Sequence, residues 1–98
     1  MKKSLNQNLK VLKVFLPEIR ENFFVDSIEV FGSYANKTHN SKSDVDILVT
    51  FIKTPGLIKF IELENFLSDK LILKVDLVMK NSIRPALKNY ILPTAIPV

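Results

Sequence analysis

The sequence predicts a small α/β domain, because its apolar residues repeat first with the period of a helix and later with the period of a strand. From Leu5 to Phe23, apolar residues recur at spacings of three and four, which is typical of an amphipathic helix. From Asp44 to Ile52, every second residue from Val45 to Phe51 is apolar, and the residues between them include Asp44 and Asp46. This alternation is typical of a half-buried strand. The full order of helix, strand, strand, helix, strand and helix predicts a small sheet covered by helices.

Two local signals shape the first half of the chain. Ser4 is suited to cap the first helix. Pro17 lacks an amide hydrogen and crowds the preceding turn, so we expect the helix to kink or restart there. A strand over residues 27–31 follows and ends at Gly32 and Ser33.

The second half continues the alternation of helices and strands. The predicted elements are a polar loop over residues 36–43, a turn at 54–56, a helix over 57–67, a strand over 71–79 and a short helix over 84–90. Pro85 lies early enough in the last helix to be tolerated. The apolar tail over residues 91–98 contains two prolines, which predicts an edge strand or a docked arm.

Length and composition exclude several classes of protein. With 98 residues we expect one domain over residues 1–98, since domains most often have about 100–150 residues. The absence of cysteine excludes disulfides and thiolate metal sites and predicts a reducing compartment, the cytoplasm. Gly32 and Gly56 are the only glycines, which excludes Walker loops and the dinucleotide fingerprint. No stretch approaches the ~18 apolar residues of a membrane span.

The net charge selects no partner by itself. Fourteen Lys and Arg residues against ten Asp and Glu residues give +4, which is compatible with nucleic acid, a nucleotide or an acidic partner. The basic residues form no run and are not interleaved with aromatic side chains, so direct nucleic-acid binding is the weakest of these alternatives.

Three carboxylates are candidates for a metal-dependent site. Asp44 and Asp46 lie two apart at the start of a strand and share one face, where Mg²⁺ could neutralise them; alternatively, they end a polar loop in water. Asp76 lies within an apolar strand that disfavours it. If its strand neighbours that of Asp44, the three carboxylates converge as two-metal nucleotidyl transfer requires. Alternatively, Asp76 pairs with Lys74 or another lysine.

Gly32 and Ser33 complete this set of candidates. A phosphate must approach backbone amides closely, and a Cβ would obstruct it, so a glycine that ends a strand favours phosphate binding. The hydroxyl of Ser33 would add a donor to a phosphate oxygen. Alternatively, the glycine serves only the turn.

The spacing of these residues resembles a family signature. Gly32-Ser33, ten intervening residues and Asp44-Val45-Asp46 match the pattern G-S-x10-D-x-D of the DNA polymerase β-like nucleotidyltransferases. The surrounding residues resemble the minimal nucleotidyltransferases of that superfamily, which are encoded beside a HEPN-domain protein as toxin–antitoxin pairs. The resemblance implies a single small nucleotidyltransferase domain, α/β, with a short mixed sheet and about three helices.

The resemblance also implies a function. It implies that Gly32 and Ser33 hold the β- and γ-phosphates of ATP, and that Asp44, Asp46 and Asp76 bind two Mg²⁺ ions. The implied enzyme is an antitoxin that transfers AMP to a tyrosine hydroxyl of its cognate HEPN ribonuclease toxin. In such chemistry the protein contributes mainly positioning and charge neutralisation.

One departure from the family pattern keeps alternatives open. The family usually has Arg-Gly where this chain has Asn36-Lys37, and Lys37 restores the charge without the fork geometry of arginine. This departure and the apolar tail motivate a non-catalytic antitoxin that neutralises its partner by binding. A small-molecule nucleotidyltransferase of the aminoglycoside type is a further alternative.

Overall fold

The computed structural model describes residues 5–32 and 44–98. The described elements in chain order are α1 (Leu5–Phe23), β1 (Val25–Phe31), β2 (Val45–Phe51), α2 (Leu57–Leu71), β3 (Val75–Met79), α3 (Pro85–Ile91) and β4 (Ile96–Pro97), with 3-10 turns at Lys80–Ser82 and Leu92–Thr94. Ser4, Ser33 and the Asn36-Lys37 departure lie outside the described residues.

The four strands form one mixed sheet with the order β3-β2-β1-β4. β1 pairs antiparallel with both β2 and β4, whereas β2 and β3 are parallel. The parallel pair is possible because α2 carries the chain from the end of β2 back to the start of β3, as parallel strands require. The predicted fold class, a small α/β domain with a short mixed sheet and about three helices, is confirmed.

One face of the sheet is apolar and carries the hydrophobic core. The inward residues of β2 are Val45, Ile47 and Val49, each at most 1% exposed. They pack with α1 and with Leu63, Leu67 and Leu71 of α2, whose spacing of four places them on one helical face. Phe66 adds ring contacts from α2 to Phe15 and Phe23 of α1, with centroids 6.0 and 5.5 Å apart. The opposite face of the sheet lies away from this core and carries polar side chains beside the buried Leu48.

The sequence predicts that α1 kinks or restarts at Pro17; the restart is wrong, because the helix continues through Pro17 from Leu5 to Phe23. A proline inside a helix costs about 3 kcal/mol. Buried side chains on both sides of it, Leu12 and Ile19 among them, tie the two halves of the helix to one core. Their burial offsets the missing hydrogen bond.

The expected strand over residues 71–79 begins too early. Leu71 is fully buried as the last residue of α2, where it continues the apolar spacing of that helix. Ile72 then ends the helix in the left-handed conformation, with φ 55° and ψ 39°, and β3 begins only at Val75. Core packing of Leu71 thus prevails over the strand propensity of the apolar run.

α2 ends at Leu71, four residues beyond its predicted end, and the remaining strand and helix boundaries differ from the predicted ones by at most two residues. For the tail, the structure decides between the two predicted forms. Ile96 and Pro97 pair with Val30 and Glu29 of β1, and the Val98 amide donates to the Ile28 carbonyl at 3.0 Å. The end of the tail is therefore an edge strand, as one of the two predictions had it, whereas residues 91–94 belong to the end of α3 and the 3-10 turn that follows it.

Membrane insertion through a helix finds no support in the described ranges. None of the helices within residues 5–32 and 44–98 combines the length and the apolar character that a membrane span needs.

Ile72 generates a stability prediction. A β-branched residue at positive φ is strained by about 1–2 kcal/mol, and its side chain, 80% exposed, gains little from packing. Ile72→Gly should therefore raise the free energy of unfolding by about 1 kcal/mol, after the greater freedom of glycine in the unfolded chain is subtracted. Urea unfolding at constant temperature measures the change. Ile72→Ala is the matched control, because it removes the exposed carbons and keeps the Cβ; equal stability of the two variants would contradict the strain.

Candidate active site

Asp46 and Asp76 lie side by side on neighbouring parallel strands. The register of β2 and β3 aligns Asp46 with Asp76, between the aligned pairs Val45–Val75 and Ile47–Leu77. Aligned residues of adjacent strands point to the same face. Because Val45 and Val75 are buried in the core, the two aspartates lie on the face that the core leaves open. The condition set by the sequence, that the strand of Asp76 neighbours that of Asp44, is met.

Asp44 lies at the edge of this pair. It directly precedes β2, and its Oδ2 lies 3.8 Å from Nζ of Lys74, which directly precedes β3. The backbone also joins β2 and β3 next to this ion pair, because the Val45 amide donates to the Lys74 carbonyl at 2.9 Å. Lys74 is exposed and Asp44 is partly exposed, with side-chain exposures of 75% and 36%, so the pair contributes little to stability. Lys74 thus serves Asp44 rather than Asp76, and within the described ranges Asp76 has no ion pair.

The pKa of Asp46 reflects its burial and the two neighbouring carboxylates. The pKa of the Asp46 carboxyl is raised from 3.8 to about 6, mainly by burial and further by the negative charges of Asp76 and then Asp44. Like charges disfavour ionisation of a neighbour, and a cation between them removes the penalty. The three aspartates therefore interact electrostatically and form one acidic site.

Gly32 is required beside this site for two reasons. It follows β1 directly, where Phe31 pairs with Asp46, and it adopts φ +71°, which side-chain-bearing residues rarely adopt. A Cβ at Gly32 would also overlap Oδ2 of Asp46. The sequence predicts that this glycine admits a phosphate, and the structure shows that it makes room for the Asp46 carboxylate. Ser33, the predicted phosphate ligand beside it, is not among the described residues.

The carboxylates do not form a finished metal site. Within residues 5–32 and 44–98, no group of three or more His, Cys, Asp or Glu side chains is arranged to hold a metal ion. Asp46 and Asp76 are paired by the strand register, whereas Asp44 is directed to Lys74. Rotation of the Asp44 side chain, at the cost of a weak exposed ion pair, would bring a third carboxylate toward the pair. The chemistry of the donors, all carboxylate oxygens, suits Mg²⁺.

The open face also carries an ion pair that sequence reasoning missed. Nζ of Lys80 lies 3.2 Å from Oε2 of Glu29, with the side chains 34% and 19% exposed. Glu29 is aligned with Leu48 of β2, and Lys80 directly follows β3 on the other side of β2, so the ion pair joins the two strands that flank β2. The alternation of β1, which places Glu29 on the same face as Phe31, could have predicted that Glu29 lies on the open face. The position of Lys80 depends on the path of the chain after β3, and no sequence pattern predicts it.

Comparison with known proteins gives a consistent result. A family model described as a nucleotidyltransferase domain matches residues 12–96. The chain is 43% identical over 95 residues to protein adenylyltransferase MntA of Thermococcus cleftensis, covering 97% of this chain and 96% of that protein. It is 46% identical over 81 residues to a Methanocaldococcus jannaschii protein provisionally named a protein adenylyltransferase, covering 83% of this chain and 94% of the relative.

Solved structures show the same relationship. A structure described as a minimal nucleotidyltransferase superposes with a TM-score of 0.80 at 27% identity, covering 98% of this chain and 97% of that one. A toxin–antitoxin complex with AMP-PNP superposes with a TM-score of 0.69 at 28% identity, covering 97% of this chain and 72% of that one. A complex of the tri-AMPylated HEPN toxin of Shewanella oneidensis with MNT antitoxin superposes with a TM-score of 0.67 at 25% identity, covering 92% of this chain and 70% of that one.

The raised pKa of Asp46 predicts how stability depends on pH. Because this pKa is higher in the folded chain than in the unfolded chain, the folded state is favoured by protonation, and that contribution is lost as the pH rises from about 4 to above 6. In metal-free buffer, Asp46→Asn should therefore raise the melting temperature at about pH 7 and lose this gain near pH 4. Thermal unfolding across this range measures the difference. Asp69→Asn, at an exposed position of α2, is the control; a gain for Asp46→Asn that does not vary with pH would contradict the cause.

The overlap at Gly32 predicts an energetic coupling. Gly32→Ala should destabilise the protein through its positive φ, by about 1–2 kcal/mol, and through collision with the Asp46 carboxylate. The second contribution should vanish in an Asp46→Ala background, whereas the first should remain. A double-mutant cycle by chemical unfolding should therefore show a coupling of about 0.5–3 kcal/mol. Strict additivity would show that the two side chains do not compete for space.

Proposed function

The chain belongs to the nucleotidyltransferase domain family, and from that membership we propose that it is an antitoxin that transfers AMP from ATP to a tyrosine hydroxyl of a HEPN-type ribonuclease toxin. The observation that carries the proposal is the alignment of Asp46 with Asp76 within the region that matches the family. Support for the partner comes from the structural relatives, one of which contains an AMPylated HEPN toxin. Support for the nucleotide comes from another, which contains AMP-PNP.

In this proposal Asp44, Asp46 and Asp76 hold two Mg²⁺ ions. The residues fit such ions, because carboxylate oxygens are preferred ligands and because the raised pKa of Asp46 marks negative charge that a cation would compensate. When bound, Mg²⁺ supplies charge neutralisation for the triphosphate and for the developing charge of the reaction. Gly32 and Ser33 hold the β- and γ-phosphates.

The remaining chemistry falls to the side chains of this protein. Asp76 lies at the open face beside Asp46, where its carboxylate helps to activate the acceptor by taking the proton of the tyrosine hydroxyl. The hydroxyl oxygen then bonds to the α-phosphorus of ATP, the bond from that phosphorus to the bridging oxygen breaks, and pyrophosphate leaves. The rest of the rate enhancement comes from holding donor and acceptor in line.

The alternative antitoxin mechanism keeps one of its two motives only in part. A non-catalytic antitoxin is suggested partly by the apolar tail over residues 91–98, and the end of that tail, Ile96–Pro97, pairs with β1. The aminoglycoside-type alternative has no observation of its own in the described residues. The proposal further assigns the protein to the cytoplasm as one domain over residues 1–98, without a nucleic-acid partner.

The proposal predicts nucleotide transfer that depends on the aspartates. With α-labelled ATP, Mg²⁺ and the HEPN-type toxin that the proposal expects as its genomic neighbour, the protein should label that toxin, and intact mass spectrometry should show added AMP. Asp46→Asn and Asp76→Asn should each lower the rate about 100-fold or more, because each removes a charge that acts on the reacting phosphate. Glu62→Gln, an exposed change on α2 that affects only a pair with Lys59, is the control.

Two outcomes would contradict this function. Absence of transfer by a folded protein that binds ATP would remove the catalytic claim. Protection of cells from the toxin by an Asp44→Asn/Asp46→Asn variant would instead indicate neutralisation by binding.

A further inference from the structure

β3 is an edge strand, so half of its backbone donors have no strand to pair with. It lies at one end of the sheet, next to β2 alone. The Lys74 carbonyl accepts from the Val45 amide, which shows that residues 74 and 76 direct their backbone groups toward β2. Alternation along a strand then directs the amides of Val75 and Leu77 to the outer edge. These two amides flank Asp76.

Two side chains of α2 satisfy both of these donors. The Leu77 amide donates to Oε2 of Glu64 at 2.9 Å, and the Val75 amide donates to Oγ of Ser68 at 3.1 Å. Glu64 and Ser68 are four residues apart and therefore lie on the same side of the helix. Oγ of Ser68 also donates to the Glu64 carbonyl at 2.9 Å, which joins the two contacts.

Burial alone does not hold Asp76 this closely. The core fixes which face of β3 is inward, because Val75 and Leu77 are 2% and 7% exposed, but apolar contacts are non-directional. The backbone pairing with β2 sets the register of β3 and holds it along one edge only. Hydrogen bonds are directional, and a bond to a carboxylate is stronger than one between neutral groups. Glu64 has no ion pair among the described residues, so the Leu77 amide is the partner that the structure shows for its carboxylate.

We propose that Glu64, assisted by Ser68, is a positioning residue that holds the backbone on both sides of Asp76 and so keeps Asp76 aligned with Asp46. Glu64 lies on the helix that packs against the other face of the sheet and acts through the edge of β3 rather than by contact with a substrate. The kinetic part of this inference rests on the proposed nucleotidyl transfer; the structural part does not.

The test compares Glu64→Ala, Glu64→Gln and Glu62→Ala. Glutamine retains an oxygen acceptor for the Leu77 amide, alanine does not, and Glu62→Ala removes an exposed carboxylate of the same helix. In Glu64→Ala, hydrogen exchange of the Leu77 amide should become about tenfold faster, and the cross-strand NOEs between Asp46 and Asp76 should weaken. Glu64→Gln should retain most of the protection and the NOEs, and Glu62→Ala should retain both fully.

The kinetic readout separates positioning from a general loss of stability. Because displacement of a reacting group costs rate rather than substrate binding, Glu64→Ala should lower kcat about 10- to 100-fold with KM for ATP nearly unchanged, and Glu64→Gln should recover most of kcat. If Glu64→Ala does not fold, Ser68→Ala provides the same comparison through the Val75 amide.

Each contrary result has a distinct meaning. Unchanged exchange at Leu77 or unchanged NOEs in Glu64→Ala would overturn the inference, whatever the activity. Altered NOEs with unchanged kcat would reduce Glu64 to a structural contact and also overturn it. A wild-type protein that transfers no nucleotide would remove the proposed function, while the exchange and NOE results would still decide whether Glu64 positions Asp76.

Discussion

Two carboxylates aligned across a parallel strand pair repel each other, and the rest of this fold has to hold them together against that repulsion. Asp46 shows the consequence in its raised pKa, to which burial and both neighbouring aspartates contribute. Among the described residues, the two lysines near this face are paired with other carboxylates, Lys74 with Asp44 and Lys80 with Glu29. The compensation comes from the other face, where the strands are buried under α1 and α2.

One face of the sheet is buried in the core and the other carries the aspartates, and this difference explains the positions of Asp46, Gly32 and Glu64. Alternation along β2 places Val45 and Ile47 in the core on either side of Asp46, so the same residues that bury the strand present the carboxylate to the open side. Gly32 leaves room for that carboxylate where a side chain would overlap it. Glu64 and Ser68 reach the outer edge of β3 and complete the backbone hydrogen bonding around Asp76. An acidic site on a small domain is thus supported from three directions by uncharged or remote groups.

Local patterns predicted most of the elements correctly and failed where packing competed with propensity. The amphipathic spacing of α1 survived Pro17 because buried residues on both sides of the proline belong to one core. Leu71 was assigned to a strand because it begins an apolar run, whereas it is the last of three core leucines spaced by four in α2. Lys80 and Glu29 could not be paired from sequence, since their contact depends on the path of the chain after β3.

The sequence by itself determined the type and order of the elements, the family resemblance and the identity of the three aspartates, because these follow from residue spacing along one chain. The tertiary structure decided which strands are neighbours, that Asp76 is aligned with Asp46, that Gly32 makes room for Asp46, and that Glu64 contacts the edge of β3. These relationships join residues from 13 positions apart, as Glu64 and Leu77 are, to 68 positions apart, as Glu29 and Pro97 are. Such long-range contacts are selected by burial and hydrogen bonding of the whole sheet, and no local period records them.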